Sequence, residues 1–227
     1  MVGHKINRMV SHSKSKIGTK QIVRDTALLV WNSEAEALKH LKESIDLGVL
    51  AQCVEAIANC KGRVLTAGCG TSAAAARKIA HSLCCVGRAA AFLAPGDALH
   101  GGLGLAQPSD LVILISKGGN TSEIINMLPS LQAKRMCVIG VTENPDSVLG
   151  QSADYLMLVK VEREPDEFNM LATASTMAVI AVFDAICISL MKVTGYTKNQ
   201  FAIIHPGGAV GDRLLAGSRR SKSKRFL

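Results

Sequence analysis

The sequence predicts an α/β fold: a doubly wound, five-stranded parallel β-sheet in a three-layer α/β/α arrangement. Five short apolar runs alternate with helix-like segments between residues 64 and 193, which is typical of a parallel sheet with helical crossovers. Apolar residues make up 48% of the chain and aromatic residues only 4%, so the core is built from aliphatic side chains, as in strands buried on both faces. Two of the apolar runs end in glycine-rich loops that open helices, at the edge where parallel sheets bind ligands.

Two helices are predicted before the sheet begins. Residues 20–47 carry apolar side chains at helical spacing among charged ones, which predicts one amphipathic helix or a bent pair that ends at Gly48. A shorter helix is predicted over residues 50–59. The first strand follows at residues 64–67. The alanine-rich stretch AAAARKIAHSL, residues 73–83, predicts the next helix, because alanine has the highest helix propensity.

The later strands and helices continue the alternation. The four remaining strands are predicted at residues 89–94, 110–115, 136–142 and 153–159. The remaining helices are predicted at 97–103, at 121–133, from Asn144, at 169–193, near Thr197, and as a last turn over 212–215. Proline interrupts the pattern twice: Pro95 stops the second strand, and Pro129 kinks the helix around it or divides it in two.

The basic charge of the chain is concentrated at its two ends. The net charge is +8, but residues 1–24 hold six basic and no acidic residues and residues 219–225 hold five more, which leaves 15 basic against 18 acidic residues in the body. We therefore expect a flexible basic arm over residues 1–18, one domain over 19–215 and a basic tail over 216–227. No aromatic residues interleave with the basic ones, so specific nucleic-acid binding is not expected.

Cysteine usage and hydropathy favour a cytoplasmic protein. The seven cysteines form no CxxC pair and most lie in apolar runs, which predicts reduced, buried thiols and neither disulfides nor a metal site. No apolar stretch precedes Ala27, so a signal peptide is not expected. Residues 170–191 are apolar and long enough to span a bilayer, but Asp184 and the hydroxyls of Thr173 and Ser175 favour a buried core helix and no membrane contact.

The loops GCGTSA, residues 68–73, and SKGGNTS, residues 116–122, share one layout. Each follows a strand, contains glycine, serine and threonine, and opens a helix. Glycine lets a ligand approach the backbone closely, and a helix N-terminus offers unpaired N–H groups with partial positive charge, so the pattern predicts a cradle for a phosphate monoester. Two alternatives stay open. One is ordinary helix capping; the other is a dinucleotide site from the G-x-G-x-x-A spacing, although the acidic residue expected after the second strand is missing.

Six motifs in a fixed order extend this interpretation. They are GCGTS, HGGLG at 100–104, SKGGNT, TENPDSVL at 142–149, LATAST at 171–176 and HPGGAVG at 205–211. In this order they resemble the sugar isomerase (SIS) domain family, and within it most of all the arabinose-5-phosphate isomerases, over residues 25–215. The resemblance implies a five-stranded parallel sheet between helices and a homodimer or homotetramer with sites near the subunit interfaces. Many of these isomerases carry a C-terminal CBS-domain pair, which is not expected within these 227 residues.

The resemblance also implies a chemistry and assigns residues to it. Aldose–ketose phosphate isomerisation, which uses no metal and no cofactor here, needs ring opening and proton transfer between neighbouring carbons, and therefore a general base and donors to the carbonyl. The catalytic residues implied are His205, His100 and Glu164, with Glu167 as the fallback for the last. Direct phosphate contacts are implied for Ser72, Ser116, Thr121 and the amides of Gly118 and Gly119. The whole phosphate-binding set is Gly70, Thr71, Ser72, Ser116, Lys117, Gly118, Gly119, Asn120 and Thr121.

Three positions depart from the family pattern. Thr71 stands where the family has a lysine, Asn120 where it has a glutamate, and Gly118 where it has a second serine of the phosphate loop. Lys117 is a candidate replacement cation. These changes weaken the assignment to arabinose 5-phosphate and leave phosphosugar binding in place.

Two functions stay open at this point. One is a phosphosugar isomerase, favoured by the presence of Glu164 and His205. The other is a non-catalytic SIS module that senses a sugar phosphate and regulates a partner, favoured by the changes at Thr71 and Asn120. No helix-turn-helix segment is expected in the short N-terminal arm, which argues against a transcription regulator.

Overall fold

The computed structural model of the chain describes residues 18–207, and its centre is a five-stranded parallel sheet with strand order β2-β1-β3-β4-β5. The strands are β1 (Val64–Gly68), β2 (Ala90–Phe92), β3 (Leu111–Ile115), β4 (Cys137–Thr142) and β5 (Tyr155–Leu158). The predicted fold class is therefore confirmed. The predicted basic arm up to residue 17, the last turn over 212–215 and the basic tail lie outside the described residues.

Helices connect the strands and flank the sheet. In the described segment they are α1 (Thr19–Ser44), α2 (Leu47–Asn59), α3 (Gly70–Cys85), α4 (Pro95–Ala98), α5 (Ser122–Ile125), α6 (Leu128–Ala133), α7 (Val148–Ser152), α8 (Ala174–Val193) and α9 (Lys198–Ile204). A 3₁₀ turn covers Gly102–Leu105.

Two hydrophobic cores lie on opposite faces of the sheet and account for the three layers. On one face, α2, α3 and α8 bury aliphatic and aromatic side chains such as Ile79 and Phe183 against the strands. On the other face, α5, α6 and α7 bury Ile124, Leu131 and Leu149. β1 and β3 are buried at every position because both faces are covered. α1 packs on the outer side of α8 and buries none of its own residues completely.

The boundary between α1 and α2 differs from the prediction. α1 is one continuous helix that ends at Ser44, so the predicted end at Gly48 was wrong. The Asp46 carboxylate accepts hydrogen bonds from the N–H groups of Gly48 at 2.7 Å and Val49 at 3.1 Å. This carboxylate caps α2 and places Gly48 inside its first turn.

Two predicted helices are each divided. Residues 121–133 form α5 and α6, with Pro129 in the first turn of α6, because the proline ring lacks an N–H and clashes with the carbonyl four residues earlier. The division at Pro129 was one of the two predicted outcomes. Residues 97–103 do not form one helix; Gly101, with φ of +105°, separates α4 from the 3₁₀ turn.

α8 begins at Ala174, five residues later than predicted, because the preceding segment is a loop with Asn169 in the left-handed region at φ of +56°. Within residues 18–207, α8 alone is long and apolar enough to span a membrane. Its side chains Ala178, Phe183 and Ile186 are instead buried in the core, as expected for a core helix.

All seven cysteines are free thiols. Cys53 and Cys187 are buried, and burial raises the pKa of the Cys53 thiol to about 12 and that of Cys187 to about 11. The prediction of buried thiols is confirmed for these two only. The other thiols are half-buried, except that of Cys84, which is exposed at the end of α3.

Candidate active site

The two glycine-rich loops meet at the point where the direction of strand order reverses. From β1 the chain crosses to β2 on one side, and from β2 it returns to β3 on the other side of β1. Gly68 at the end of β1 is paired with Ile115 at the end of β3, so the loops that follow are neighbours. This is the switch point at which doubly wound sheets bind ligands.

A cleft opens at this switch point, and the space between its walls together with the open solvent at its mouth measures about 440 Å³. It is lined by residues of β1–α3, β3, β4, β5 and the start of α8, namely Thr71, Ser72, Ala75, Ile115, Lys117, Val141, Thr142, Val159, Ala172, Ser175, Thr176 and Val179. The lining has an apolar floor and a polar rim of hydroxyl groups with one ammonium group. Such a cleft can hold a small polar ligand by its charged end.

The loop after β1 presents the N-terminus of α3 to this cleft. Gly70 has φ of +55°, and a side chain at Gly68 would lie 2.8 Å from the backbone of Ser72, so glycine permits the sharp turn from strand to helix. The N–H groups of a first helical turn have no acceptor within the helix. Thr71 and Ser72 line the cleft, which agrees with their predicted place; their contact with phosphate stays a prediction.

The loop after β3 is held by hydrogen bonds within itself. The Ser116 and Thr121 hydroxyls lie 2.8 Å apart, and the Ser116 hydroxyl accepts from the Gly119 N–H at 3.2 Å. Gly119 has φ of +74°, and a side chain there would lie 1.9 Å from the Ser147 hydroxyl oxygen. Gly118 is exposed with open space around it. Ser116 and Gly119 thus shape the loop, which leaves Gly118 as the accessible glycine.

Asn120 is directed towards α7. Its Oδ1 accepts a hydrogen bond from the Val148 N–H at 3.0 Å, next to Ser147, which caps that helix. This contact links the loop after β3 to the loop after β4. A direct phosphate contact by Asn120 stays a prediction, and only its amide nitrogen is free of this link.

Glu164 is completely buried beside the cleft and accepts hydrogen bonds on both carboxylate oxygens. Oε1 accepts from Lys117 Nζ at 2.8 Å and from the Ser175 hydroxyl. Oε2 accepts from the Thr173 N–H at 3.0 Å and, at 3.4 Å each, from the Thr173 hydroxyl and the Ser175 N–H. Burial alone would raise the pKa of Glu164, but the hydrogen bonds from Lys117, Ser175 and Thr173 and the charge of Lys117 lower it to about 2.

Lys117 brings the ammonium group to the cleft. Its side chain is 37% exposed, although Nζ is paired with Glu164. Its carbonyl accepts from the Thr142 hydroxyl at 2.8 Å and from the Glu143 N–H at 2.9 Å, which fixes the backbone at this position. The predicted replacement cation therefore lies in the same cleft as Thr71, the residue predicted to stand in place of the family's lysine.

The structure does not bring the two predicted histidines into this cleft. His205 follows α9; its Nδ1 lies 3.0 Å from the Phe201 carbonyl oxygen and its ring stacks on Phe201 at 4.0 Å. Phe201 contacts Tyr196, whose hydroxyl donates to the Cys85 carbonyl at the end of α3. That end lies about 20 Å along the helix from Ser72.

His100 is exposed in the turn after α4, and its side chain does not line the cleft. The residues that sequence reasoning missed are Ser175 and Thr142. In the sequence, Ser175 counted against a membrane span and lay in the LATAST motif without a role in the site. A hydroxyl group in the first turn of an apolar helix, after an acidic loop, indicates a buried polar partner. Within residues 18–207 no group of histidine, cysteine and acidic side chains is placed to hold a metal ion.

Comparison with known proteins agrees with this fold. Residues 56–189 match the SIS domain. Arabinose 5-phosphate isomerase KdsD of Yersinia pestis is 37% identical over 186 residues, which cover 82% of this chain and 56% of that protein. KpsF of Escherichia coli O6:H1, also an arabinose 5-phosphate isomerase, is 37% identical over 80% of this chain and 56% of its own length. The chain thus spans little more than half of these curated relatives.

Two solved structures are similar over their whole length. A candidate sugar-phosphate isomerase of Listeria monocytogenes is 51% identical with a TM-score of 0.82, and the match covers 84% of this chain and 100% of that one. A protein of Escherichia coli CFT073, solved in complex with arabinose 5-phosphate, is 29% identical with a TM-score of 0.79 over 84% of this chain and 100% of its own.

Proposed function

Because this chain belongs to the SIS domain family, we propose that it is a phosphosugar isomerase that interconverts an aldose phosphate and a ketose phosphate by acid–base catalysis. The observation that carries the proposal is the cleft at the switch point. There the first turn of α3 and the Lys117 ammonium converge on one small space. Helix N-termini and ammonium groups both bind phosphate, so the cleft suits a monophosphorylated sugar.

The proposed substrate is a pentose phosphate of the arabinose 5-phosphate type. The KdsD and KpsF relatives and the arabinose 5-phosphate complex of the similar structure support this choice. Thr71 stands in place of the family's lysine and Asn120 in place of its glutamate, so the identity of the sugar is not decided. Hexulose and amino-sugar phosphates are the other candidates. The proposed place of action is the cytoplasm, and no metal or cofactor takes part.

Histidine side chains are the proposed proton-transfer groups, since histidine is the most frequent general base in enzymes. Within one subunit His205 lies at the far end of α3 from Ser72. We therefore propose a homodimer or homotetramer in which His205 enters the cleft of a neighbouring subunit. His100 lies in the turn that follows α4, itself preceded by β2, and is the second candidate.

A sugar-phosphate sensor is the second candidate function. The specific observation in its favour is that Thr71 offers no cation and that Asn120 uses its amide oxygen to hold α7. Such a module would bind the phosphosugar in the same cleft and pass the change in stability or shape to a partner protein.

The test begins with a thermal-shift screen of the full chain against a panel of sugar phosphates, with the unphosphorylated sugars as matched controls. The best ligand is then followed by NMR in D₂O, where isomerisation appears as a second sugar and as exchange of the transferred proton for deuterium. Stabilisation with isomer exchange supports the enzyme, and stabilisation without exchange selects the sensor. Equal shifts with phosphorylated and unphosphorylated sugars would contradict both.

A further inference from the structure

The Glu164 carboxylate has no lone pair left for a substrate. A carboxylate offers about four acceptor sites. At Glu164 these sites receive donors from Lys117, Thr173 and Ser175, and the side chain has no exposed surface. A general base must have an acceptor within hydrogen-bond reach of the proton that it removes, and this arrangement provides none.

The same carboxylate caps α8. Thr173 is the residue before the first turn of this 20-residue helix, yet its own side chain makes no capping hydrogen bond. Glu164 takes that place from outside the helix, since Oε2 accepts from the Thr173 and Ser175 N–H groups. A negative charge at a helix N-terminus is stabilised by the helix dipole. The charge of Glu164 is therefore required where it lies, and its low pKa of about 2 agrees with a group that stays ionised.

The loop that carries Glu164 is itself held in one shape. Asn169 Oδ1 accepts from the Glu164 N–H at 2.6 Å. The Asp166 carboxylate accepts from the N–H groups of Phe168, Met170 and Leu171 at 2.8 to 3.0 Å. Because hydrogen bonds hold the backbone of this loop, Glu164 is a rigid anchor for the donor groups that bind its Oε1.

Lys117 is the group that this anchor holds. An ammonium group has three N–H donors, and Glu164 accepts one of them. The Lys117 side chain remains 37% exposed and lines the cleft with Thr71 and Ser72 on one side and Ser175 on the other. Its remaining donors are thus available beside the first turns of α3 and α8.

From this geometry we infer that Lys117 is the cation that binds the phosphate of the substrate, and that Glu164 is a positioning residue that holds Lys117 and the start of α8 and transfers no proton. The inference rests on the proposed function for the identity of the ligand as a sugar phosphate. It replaces the catalytic role that sequence resemblance implies for Glu164, and it supplies from Lys117 the positive charge that Thr71 lacks.

Ligand affinity tests the role of Lys117 without any need for turnover. Isothermal titration of the full chain uses arabinose 5-phosphate and inorganic phosphate, with arabinose as the uncharged control. We expect Lys117→Met to weaken binding of both phosphate ligands by roughly 10- to 100-fold, as loss of a charged hydrogen bond does. Lys117→Arg should recover most of it. The matched control is Lys61→Met, which removes an exposed lysine ahead of β1 and should bind like wild type.

A double variant separates positioning from folding. Lys117→Met combined with Glu164→Gln removes both charges of the pair, so that neither is left buried alone. If Glu164 acts through Lys117, Glu164→Gln weakens phosphate binding by itself, and the double variant binds no worse than Lys117→Met. If the double variant loses as much binding free energy as the two single variants together, the positioning role is overturned.

Turnover gives a further readout where the chain proves active. A positioning role predicts that Glu164→Gln raises KM more than it lowers kcat, and that the acid limb of the pH profile of kcat keeps its midpoint. If instead kcat falls by roughly 100-fold or more while KM is unchanged, Glu164 is a proton-transfer group and the inference is overturned. Loss of phosphate binding in Lys117→Met without isomerisation in wild type would support the inference while contradicting the isomerase. Isomerisation by wild type, together with unchanged phosphate binding by Lys117→Met, would support the isomerase and overturn the inference.

Discussion

The hydroxyl groups of Ser116 and Thr121 lie 2.8 Å apart and close the loop that follows β3. The Ser116 hydroxyl also accepts the Gly119 N–H, while the carbonyl of Ser116 accepts the same N–H at 3.0 Å. Ser116 is almost completely buried, so these hydrogen bonds are shielded from water. The loop is therefore shaped before any ligand arrives, which lowers the entropy cost of binding.

Removal of the Ser116 hydroxyl should loosen this loop. In Ser116→Ala the Thr121 hydroxyl loses its buried partner, and we expect the free energy of unfolding to fall by about 1 to 3 kcal/mol. Urea denaturation followed by circular dichroism measures the change. Ser122→Ala is the matched control, because its hydroxyl is exposed and, among residues 18–207, bonds only to the neighbouring Glu123. Equal losses in the two variants would show that the buried pair adds no stability.

Gly119 and Gly118 form a second matched pair. A side chain at Gly119 would overlap Ser147 and would require a left-handed backbone, whereas a side chain at Gly118 meets nothing within 4 Å. We expect Gly119→Ala to destabilise the protein by about 2 kcal/mol or more and Gly118→Ala to stay within about 0.5 kcal/mol of wild type. Urea denaturation of both variants checks the difference. A tolerated Gly119→Ala would mean that α7 moves away easily.

Glu164 should make stability depend on pH in the acid range. Its pKa is about 2 in the folded protein against an ordinary value of 4.5, so the unfolded chain takes up the proton first. The stability that this carboxyl contributes is complete above pH 4.5 and is lost as the pH falls towards 2. We expect wild type to lose up to about 3 kcal/mol more than Glu164→Gln over this interval.

Urea denaturation between about pH 2.5 and 6 measures that difference. On the same loop, burial would raise the pKa of Asp166, but the N–H groups of Leu171, Met170 and Phe168 lower it. Asp166 is present in wild type and in Glu164→Gln, so its contribution drops out of the difference between their stabilities. Parallel stability curves for wild type and Glu164→Gln would show that the buried carboxyl is not ionised.

His205 variants test the proposed oligomer, in which this histidine enters the cleft of a neighbouring subunit. We expect His205→Asn to abolish isomerisation while phosphosugar binding stays nearly unchanged, since the proposed phosphate contacts come from the first turn of α3 and from Lys117 and not from His205. A mixture with a Lys117→Met subunit should regain part of the activity, because mixed assemblies contain some clefts with both intact residues. NMR isomer exchange on the mixture is the measurement. Full turnover by His205→Asn alone would remove this histidine from the mechanism.

The sequence alone was sufficient to predict the fold class and to predict that the two glycine-rich loops lie close together. Apolar runs such as LVILI and the alanine-rich stretch of α3 are local patterns, and their periodicity determines strand and helix before any tertiary contact forms. The rule that ligands bind at the carboxyl edge of a doubly wound sheet then placed the loops of Ser72 and Ser116 side by side, and the register of β1 with β3 confirmed it.

Tertiary packing alone decided how the charges of the site are arranged. Lys117 and Glu164 are 47 residues apart, and they meet only because the loop before α8 folds its carboxylate under the first turn of that helix. The sequence also could not predict that His205 stacks on Phe201, because this contact depends on how α9 packs beyond the end of α3. Burial and ion pairing depend on long-range contacts, which no local periodicity encodes, so the sequence could not show that Glu164 is a buried carboxylate with hydrogen bonds on both oxygens.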